Sequence, residues 1–215
     1  MRWRRRLASR MFSRLFLGAH MLTPTHTLLS CGLLTARSRP ARNLAVLAGG
    51  IAPDLPMAGM FIWDRYVQGL GEEQIWEGRY WTDAWQIPTA IGHSIPIALV
   101  ILAVGLAARW QVFSFFALSA LVHTLGDLPF HNDDAHMHLW PLSRWKFISP
   151  ISYYDPRHYG NVMHWVELVL MIAMMAVLWR RFEARWVRVA CGCGIALAAS
   201  VPLYFTLRHY YGLAV

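Results

Sequence analysis

Charge is what this sequence has least of. Asp, Glu, Lys and Arg make up 15% of its 215 residues, where a soluble domain carries about a quarter. That scarcity, with 56% hydrophobic residues and a mean hydropathy of +0.34, excludes an ordinary soluble domain and points to a membrane protein. Cysteine is scarce too. Cys31, Cys191 and Cys193 all lie in apolar stretches, so no disulfide framework is implied. Cys191-Gly192-Cys193-Gly194 reads as a small-residue packing stretch, because its neighbours offer no second donor set for a metal. A signal-peptide core with a cleavage site is missing, as are internal repeats and low-complexity tracts. The basic stretch 1–20 reads either as an interfacial amphipathic anchor or as residues ahead of a true start at Met21. The net charge of +8 comes from arginines in short clusters between apolar runs. Topology signals sit there, so no nucleic-acid partner is expected.

What is abundant is apolar sequence in runs. Six can be marked: Leu22 to Ala36, Asn43 to Trp63, Ile87 to Ala108, Trp110 to Leu128, Val162 to Trp179 and Val187 to Leu207. The first is short for a membrane helix of about 20 residues, and the others fit. The expected fold class is all-α, a polytopic membrane helix bundle of about six apolar helices. Residues 21–215 form one integral membrane domain whose partner is the lipid bilayer, with outer loops 64–86 and 129–161. The stretch 64–86 is rich in aromatics, and eleven tryptophans in all suit the membrane–water interface. Arg37, Arg39 and Arg42, then Arg109, then Arg180, Arg181, Arg185 and Arg188 occupy alternate turns. The positive-inside rule puts those turns in the cytoplasm and the two long loops outside.

On that topology the polar residues fall at one level. His26 lies near the outer end of the first segment, Asp54 toward the outer end of the second, and His93 in the outer part of the third. His123 and Asp127 close the fourth; His131, Asp133, Asp134, His136 and His138 follow; His164 and Glu167 open the fifth. Ionisable groups at such depth are costly unless they face a cavity, a partner or a metal. His123 and Asp127 are four apart and His164 and Glu167 three apart, so each pair shares a helix face and can bind one ion or orient one another. His with Asp and Glu suits zinc, with manganese or iron as alternatives. Such an ion activates water and polarises a phosphoryl or carbonyl oxygen, and Asp54 could serve as ligand or general base. Bland readings stand beside these. His26 could bond a helix N-terminus, Asp54 could cap the Pro53–Pro56 turn, and His123–Asp127 could be a plain buried hydrogen bond. Of His131, His136 and His138 one or two would be ligands and the rest solvated loop, with Asp133 and Asp134 in a turn. Arg144, Lys146 and Arg157 could hold a phosphate or be solvated charge.

The motifs THTLL, APDLP, GHS and HTLGDLPF, in that order, resemble those of the YdjM-like family, inner-membrane-associated proteins classed as metal-dependent hydrolases. That family is similar in motif order to the all-helical zinc phospholipases C. The resemblance covers most of Met21 to Glu167 and implies that His26, Asp54, His93, His123 and Asp127 are ligands. Asp54 is followed by Leu55 and Pro56, where the family pattern has a second Asp. His131, His136 and His164 are then candidates to complete the set, and one to three divalent ions, zinc first, remain open. The resemblance further implies a bacterial inner-membrane location, and the positive-inside reading then turns the site toward the periplasm. The expected function is hydrolysis of a phosphoester or other ester at the membrane interface, with Asp54 and Asp127 as catalytic carboxylates and a lipid or phosphoester substrate. Two rivals remain: a small ion- or proton-handling transporter, and a non-catalytic scaffold.

Overall fold

A computed structural model describes residues 23–153, 155–196 and 200, with the backbone alone at 156, 161 and 164. The basic stretch 1–20 and about half of the sixth apolar segment lie outside the described residues, as does the His164 side chain. Every described element is helical. The first, α1, is Thr23–Leu34, and α2 is Pro40–Ile51, with proline at its first position, where a missing N–H costs nothing. A 3-10 turn, Ala52–Asp54, leads into α3, Leu55–Ile62, and a π turn, Trp63–Val67. Then come α4 (Glu72–Glu77), a 3-10 turn (Arg79–Trp81), α5 (Asp83–Gly92), α6 (Ile95–Ala107) and α7 (Gln111–Asp127). Ser94 caps α6, its hydroxyl accepting from the Ile97 N–H at 3.1 Å. Beyond α7 an irregular segment leads to α8, Gly160–Arg181, and a further helix occupies 185–196.

Among the described residues, three stretches are long and apolar enough to cross a membrane: Pro40–Val67, Asp83–Ala107 and Gln111–Phe130. This supports a membrane protein. About six apolar helices were expected, the first of them short; about half of the sixth lies outside the described residues. At 12 residues, α1 spans only about 18 Å, too short to cross alone. The second and third expected segments do lie in crossing stretches, but each is broken, at Ala52–Asp54 and at His93–Ser94. The breaks fall where the site residues are. The fifth expected segment lies within α8.

The helix α7 is the centre, packed on α1, α2 and α6, while α8 packs on α1. Close approach of α2 and α7 depends on small residues, as helix pairs in lipid usually do. A Cβ on Gly49 would stand 2.2 Å from the Phe116 carbonyl oxygen. Beside it the Ser119 hydroxyl donates to the Val46 carbonyl at 2.6 Å. Met171, Met175, Leu178 and Cys191 join α8 to the helix at 185–196, so Cys191 packs as a small hydrophobe, as its sequence context suggests.

The stretch 64–86 is more than a polar interfacial loop. Ile75, Trp76, Tyr80 and Trp85 form a buried cluster against Met57, Met60 and Phe61. Asp64, 1% exposed, anchors it by accepting from the Arg79 guanidinium at 3.0 and 3.2 Å and from Trp85 Nε1 at 2.9 Å.

Candidate metal centre

Breaks in the helices bring the polar side chains together. Pro53 has no N–H to offer the Gly50 carbonyl at 3-10 spacing, and that oxygen receives the Nδ1–H of His123 at 2.8 Å. The same turn ends at Asp54. At the other break His93 directs Nδ1 to the Thr89 carbonyl at 3.0 Å. His26 reaches in from α1 past Gly126, where a Cβ would come within 3.0 Å of its ring. Pro129 has no N–H with which to continue the ladder of α7, and after the 3-10 turn Leu128–Phe130 the chain returns with His131, His136 and His138.

Asp127 stands in the middle, and its two oxygens face different partners. Oδ2 lies 3.2 Å from His93 Nε2 and 3.3 Å from His123 Nε2. Oδ1 lies 2.8 Å from His26 Nε2 and 3.3 Å from His131 Nε2. Asp54 Oδ1 faces the same two imidazoles as Asp127 Oδ2, at 3.3 Å from His93 and 3.5 Å from His123. Its other oxygen accepts from the Thr23 hydroxyl at 2.5 Å. Asp54, His93, His123 and Asp127 thus form one donor set, and Asp127, His131 and His136 a second, each with its ligand atoms within 4.8 Å of one another.

Three observations fit these sets to metal ions. A carbonyl can only accept, so His93 and His123 carry their hydrogens on Nδ1 and present Nε2 lone pairs to the carboxylates. Nδ1–H donation to a carbonyl or carboxylate is the usual arrangement behind a metal-bound histidine, and His131 follows it with Asp134 Oδ2 at 2.8 Å. Next, the Nε2 atoms of His26, His93 and His123 are buried and make no hydrogen bond of acceptable geometry, although His26 Nε2 is only 2.8 Å from Asp127 Oδ1. Last, the separations of 3.2–3.5 Å in the first set exceed those of a charge-assisted hydrogen bond, about 2.7–2.9 Å. They match the roughly 3.3 Å edge of a tetrahedron around an ion with bonds of about 2.0–2.1 Å. Protons alone would hold this cluster badly. His26 stacks on His123 at 4.2 Å and His93 on His136 at 4.3 Å, so two imidazoliums in either pair would repel.

The three histidines after α7 are all buried, which corrects the expectation that some belong to solvated loop. Burial, with His93 and His131 nearby, keeps His136 well below the usual imidazole range and therefore neutral. Burial likewise lowers His138 to about 4; its Nδ1 bonds the His93 carbonyl at 3.2 Å and it belongs to neither donor set. For His131 burial works downward too, but the carboxylates of Asp134 and Asp127 raise it well above the usual range.

The sequence reading had given no part to Asp134 or Thr23. Asp134 sits in the turn expected for it, yet its carboxylate orients His131. Its position three residues after a histidine was the available signal. Conversely, the cations offered for phosphate binding are taken. Arg144 pairs with Asp83 at 3.0 Å, Arg157 forks onto Asp155, and Lys146 donates to Gln86 at 2.7 Å.

No family model, curated protein or solved structure matches the chain. The likeness to the YdjM-like family therefore rests on the short motifs quoted above.

Proposed function

We propose that the protein is a membrane-embedded metal-dependent hydrolase with a two-ion centre bridged by Asp127. It acts on a phosphoester or other ester at the membrane interface. The observation that carries this is the division of one carboxylate: Oδ2 faces His93, His123 and Asp54, while Oδ1 faces His131 and His26. Paired ions of this kind lower the pKa of water and polarise the phosphoryl or carbonyl oxygen under attack. The chain's own residues supply the rest. His93 and His123 are locked by their Nδ1 contacts, and Thr23 fixes the rotation of Asp54. Asp54 is also the accessible member of the first set, its side chain 18% exposed beside a fully buried His93. It is the carboxylate placed to take the proton from attacking water. As the water oxygen bonds to the phosphorus or acyl carbon, the ester bond breaks, and Asp54 passes the proton it took from water to the leaving ester oxygen. Zinc is the first choice, because a neutral-imidazole and carboxylate set suits it.

The site lies at one end of the helices α2, α6 and α7, with Asp54 following α2, His93 preceding α6 and Asp127 closing α7, a position that suits a substrate presented from the bilayer. A transport path would need polar groups in both halves. The opposite halves of α2, α6 and α7 instead line an apolar groove, which favours the one-sided hydrolase. Membership of the YdjM-like family and an inner-membrane location with the site toward the periplasm belong to the same proposal, resting on motif order and on the arginine turns.

Elemental analysis of detergent-purified protein after zinc reconstitution is expected to find about two ions per chain. Asp127→Ala should lose both and His131→Ala one, with helix content by circular dichroism retained. Loaded wild type should turn over at least one member of a panel of phosphoesters and lipid esters, and Asp54→Asn should abolish that. Folded protein that takes up no ion overturns the centre. Two ions without turnover on any substrate overturn the hydrolase and favour the ion-handling alternative.

A further inference from the structure

The end of the bundle away from the metal centre carries a second feature, independent of the first. The start of α2, the end of α6 and the start of α7 enclose an apolar groove of about 620 Å³. Leu44, Ala48, Val100, Val104, Trp110 and Phe113 are among its walls, and no charged side chain is. All three walls belong to stretches apolar enough to cross a membrane, so the groove opens to lipid. On α2 it runs from Ala41 to Ala48, about 10 Å of helix. That is shallower than one leaflet's share, about 15 Å, of the hydrocarbon core. The groove therefore belongs to a single leaflet, and Asp54 lies six residues, about 10 Å of helix, beyond its nearest wall residue on α2, Ala48.

At its mouth the chain places arginines. Arg39 precedes the first turn of α2, and Arg109 stands beside the wall residue Trp110 in the turn between α6 and α7. The two other arginines of the turn that leads into α2 are occupied: Arg37 bonds the Arg180 carbonyl at 3.0 Å and pairs with Glu183, and Arg42 bonds the Leu34 carbonyl and lies over the Phe115 ring at 3.8 Å. Arg39 and Arg109 have no carboxylate or carbonyl partner for their side chains among the described residues. Arg109 moreover holds φ at 57°, a left-handed conformation that glycine adopts freely and an arginine adopts at a cost. The sequence keeps the charge where the backbone would be easier without it. Trp110, 56% exposed, sits at the same level, as tryptophan does at a headgroup boundary.

We infer that this groove binds an anionic glycerophospholipid, one acyl chain lying along α2, α6 and α7 and the phosphate held between Arg39 and Arg109. An apolar slot one leaflet deep fits the chain. Unpaired guanidiniums beside it fit a phosphate bearing net negative charge, as basic pockets between membrane helices do. A zwitterionic headgroup brings its own cation and gains less. The site is separate from the hydrolytic centre and needs no metal.

The test uses the full chain, purified in detergent and analysed by native mass spectrometry after mixing with phosphatidylglycerol or phosphatidylcholine of identical acyl chains. Wild type should retain the anionic lipid about tenfold more than the zwitterionic one. The pair Arg39→Gln with Arg109→Gln should erase that preference. Arg109→Gly provides the control for folding: it relieves the left-handed backbone and should melt no lower than wild type, yet lose most of the preference. Val104→Trp, which fills the slot, should reduce retention of both lipids. Equal retention of the two lipids by wild type overturns the inference, as does a preference that survives in Arg109→Gly. So does a dimer in the spectrum that Val104→Trp dissociates, which would make a second copy the occupant.

Discussion

At the scale of the residue, the centre depends on how each imidazole is held from behind. His93 and His123 rest on backbone carbonyls that no substitution can remove. His131 rests on Asp134, and that link can be cut. Asp134→Asn keeps the size of the side chain and leaves the first donor set untouched. It is expected to weaken the second ion, held by Asp127, His131 and His136, by about 10- to 100-fold. Competition against a chromophoric chelator should resolve two affinities in wild type and show one of them shifted. Equal weakening of both sites, or of neither, would remove Asp134 from the account. The sequence made the ligands easier to see than their supports. Histidines and an aspartate at apolar depth stand out because solvation makes them costly there. Asp134 did not, because an aspartate in a turn already has a sufficient local explanation. Only the folded turn shows its carboxylate 2.8 Å from His131 Nδ1. The local context of Thr23, one turn before the helical Thr27, likewise says nothing of Asp54, thirty-one positions away.

At the scale of the element, composition located the apolar runs but not how they break or approach. APDLP could be read as a proline-marked turn, since Pro53 and Pro56 lack N–H groups. That its break would expose the Gly50 carbonyl to His123 required α7 to lie alongside. The glycine that lets it do so gives a sharp test. Gly49→Ala places a methyl group against the Phe116 carbonyl oxygen at 2.2 Å, and backbone cannot yield as a flexible side chain would. Overpacking of this kind costs about 1–3 kcal/mol. The melting temperature in detergent should fall, and metal retention with it, because His123 lies on one of the helices forced apart and Asp54 ends the turn that follows the other. Gly59→Ala is the companion. A Cβ there meets nothing within 4 Å, and on helical propensity alone the variant should be neutral or more stable by up to about 1 kcal/mol. If both variants melt alike, the close contact between α2 and α7 is not what holds the centre. The aromatic stretch 64–86 taught the opposite lesson. Its tryptophans suggested an interface, which suits the exposed Trp81, whereas Trp76 and Trp85 are buried in a cluster of their own, where Asp64 supplies the acceptor for the Trp85 ring.

At the scale of the whole molecule, the two kinds of polar residue separate to opposite ends. The turn after α1 touches the turn after α8, through Arg37 on the Arg180 carbonyl, and the groove joins the start of α2 to the turn after α6. The three arginine-bearing turns therefore share one end. Asp54, His93 and Asp127 share the other, separated by the 17 residues of α7, about 25 Å, close to the thickness of a hydrocarbon core. Such an axis has a direction in a membrane, and the orientation proposed above, from the arginine bias, has the basic turns in the cytoplasm. Single cysteines in a background with Cys31, Cys191 and Cys193 replaced by alanine can read that direction in cells. Leu142→Cys, at a position 80% exposed in the segment after α7, should react with a membrane-impermeant maleimide once the outer envelope is opened. Ser38→Cys, exposed in the turn between α1 and α2, should react only after the inner membrane is permeabilised. Labelling of both before permeabilisation would mean that the bundle does not separate two compartments along this axis. The reverse order would put the metal centre on the cytoplasmic face, where its substrate would have to come from the inner leaflet and the arginine-lined groove from the outer one.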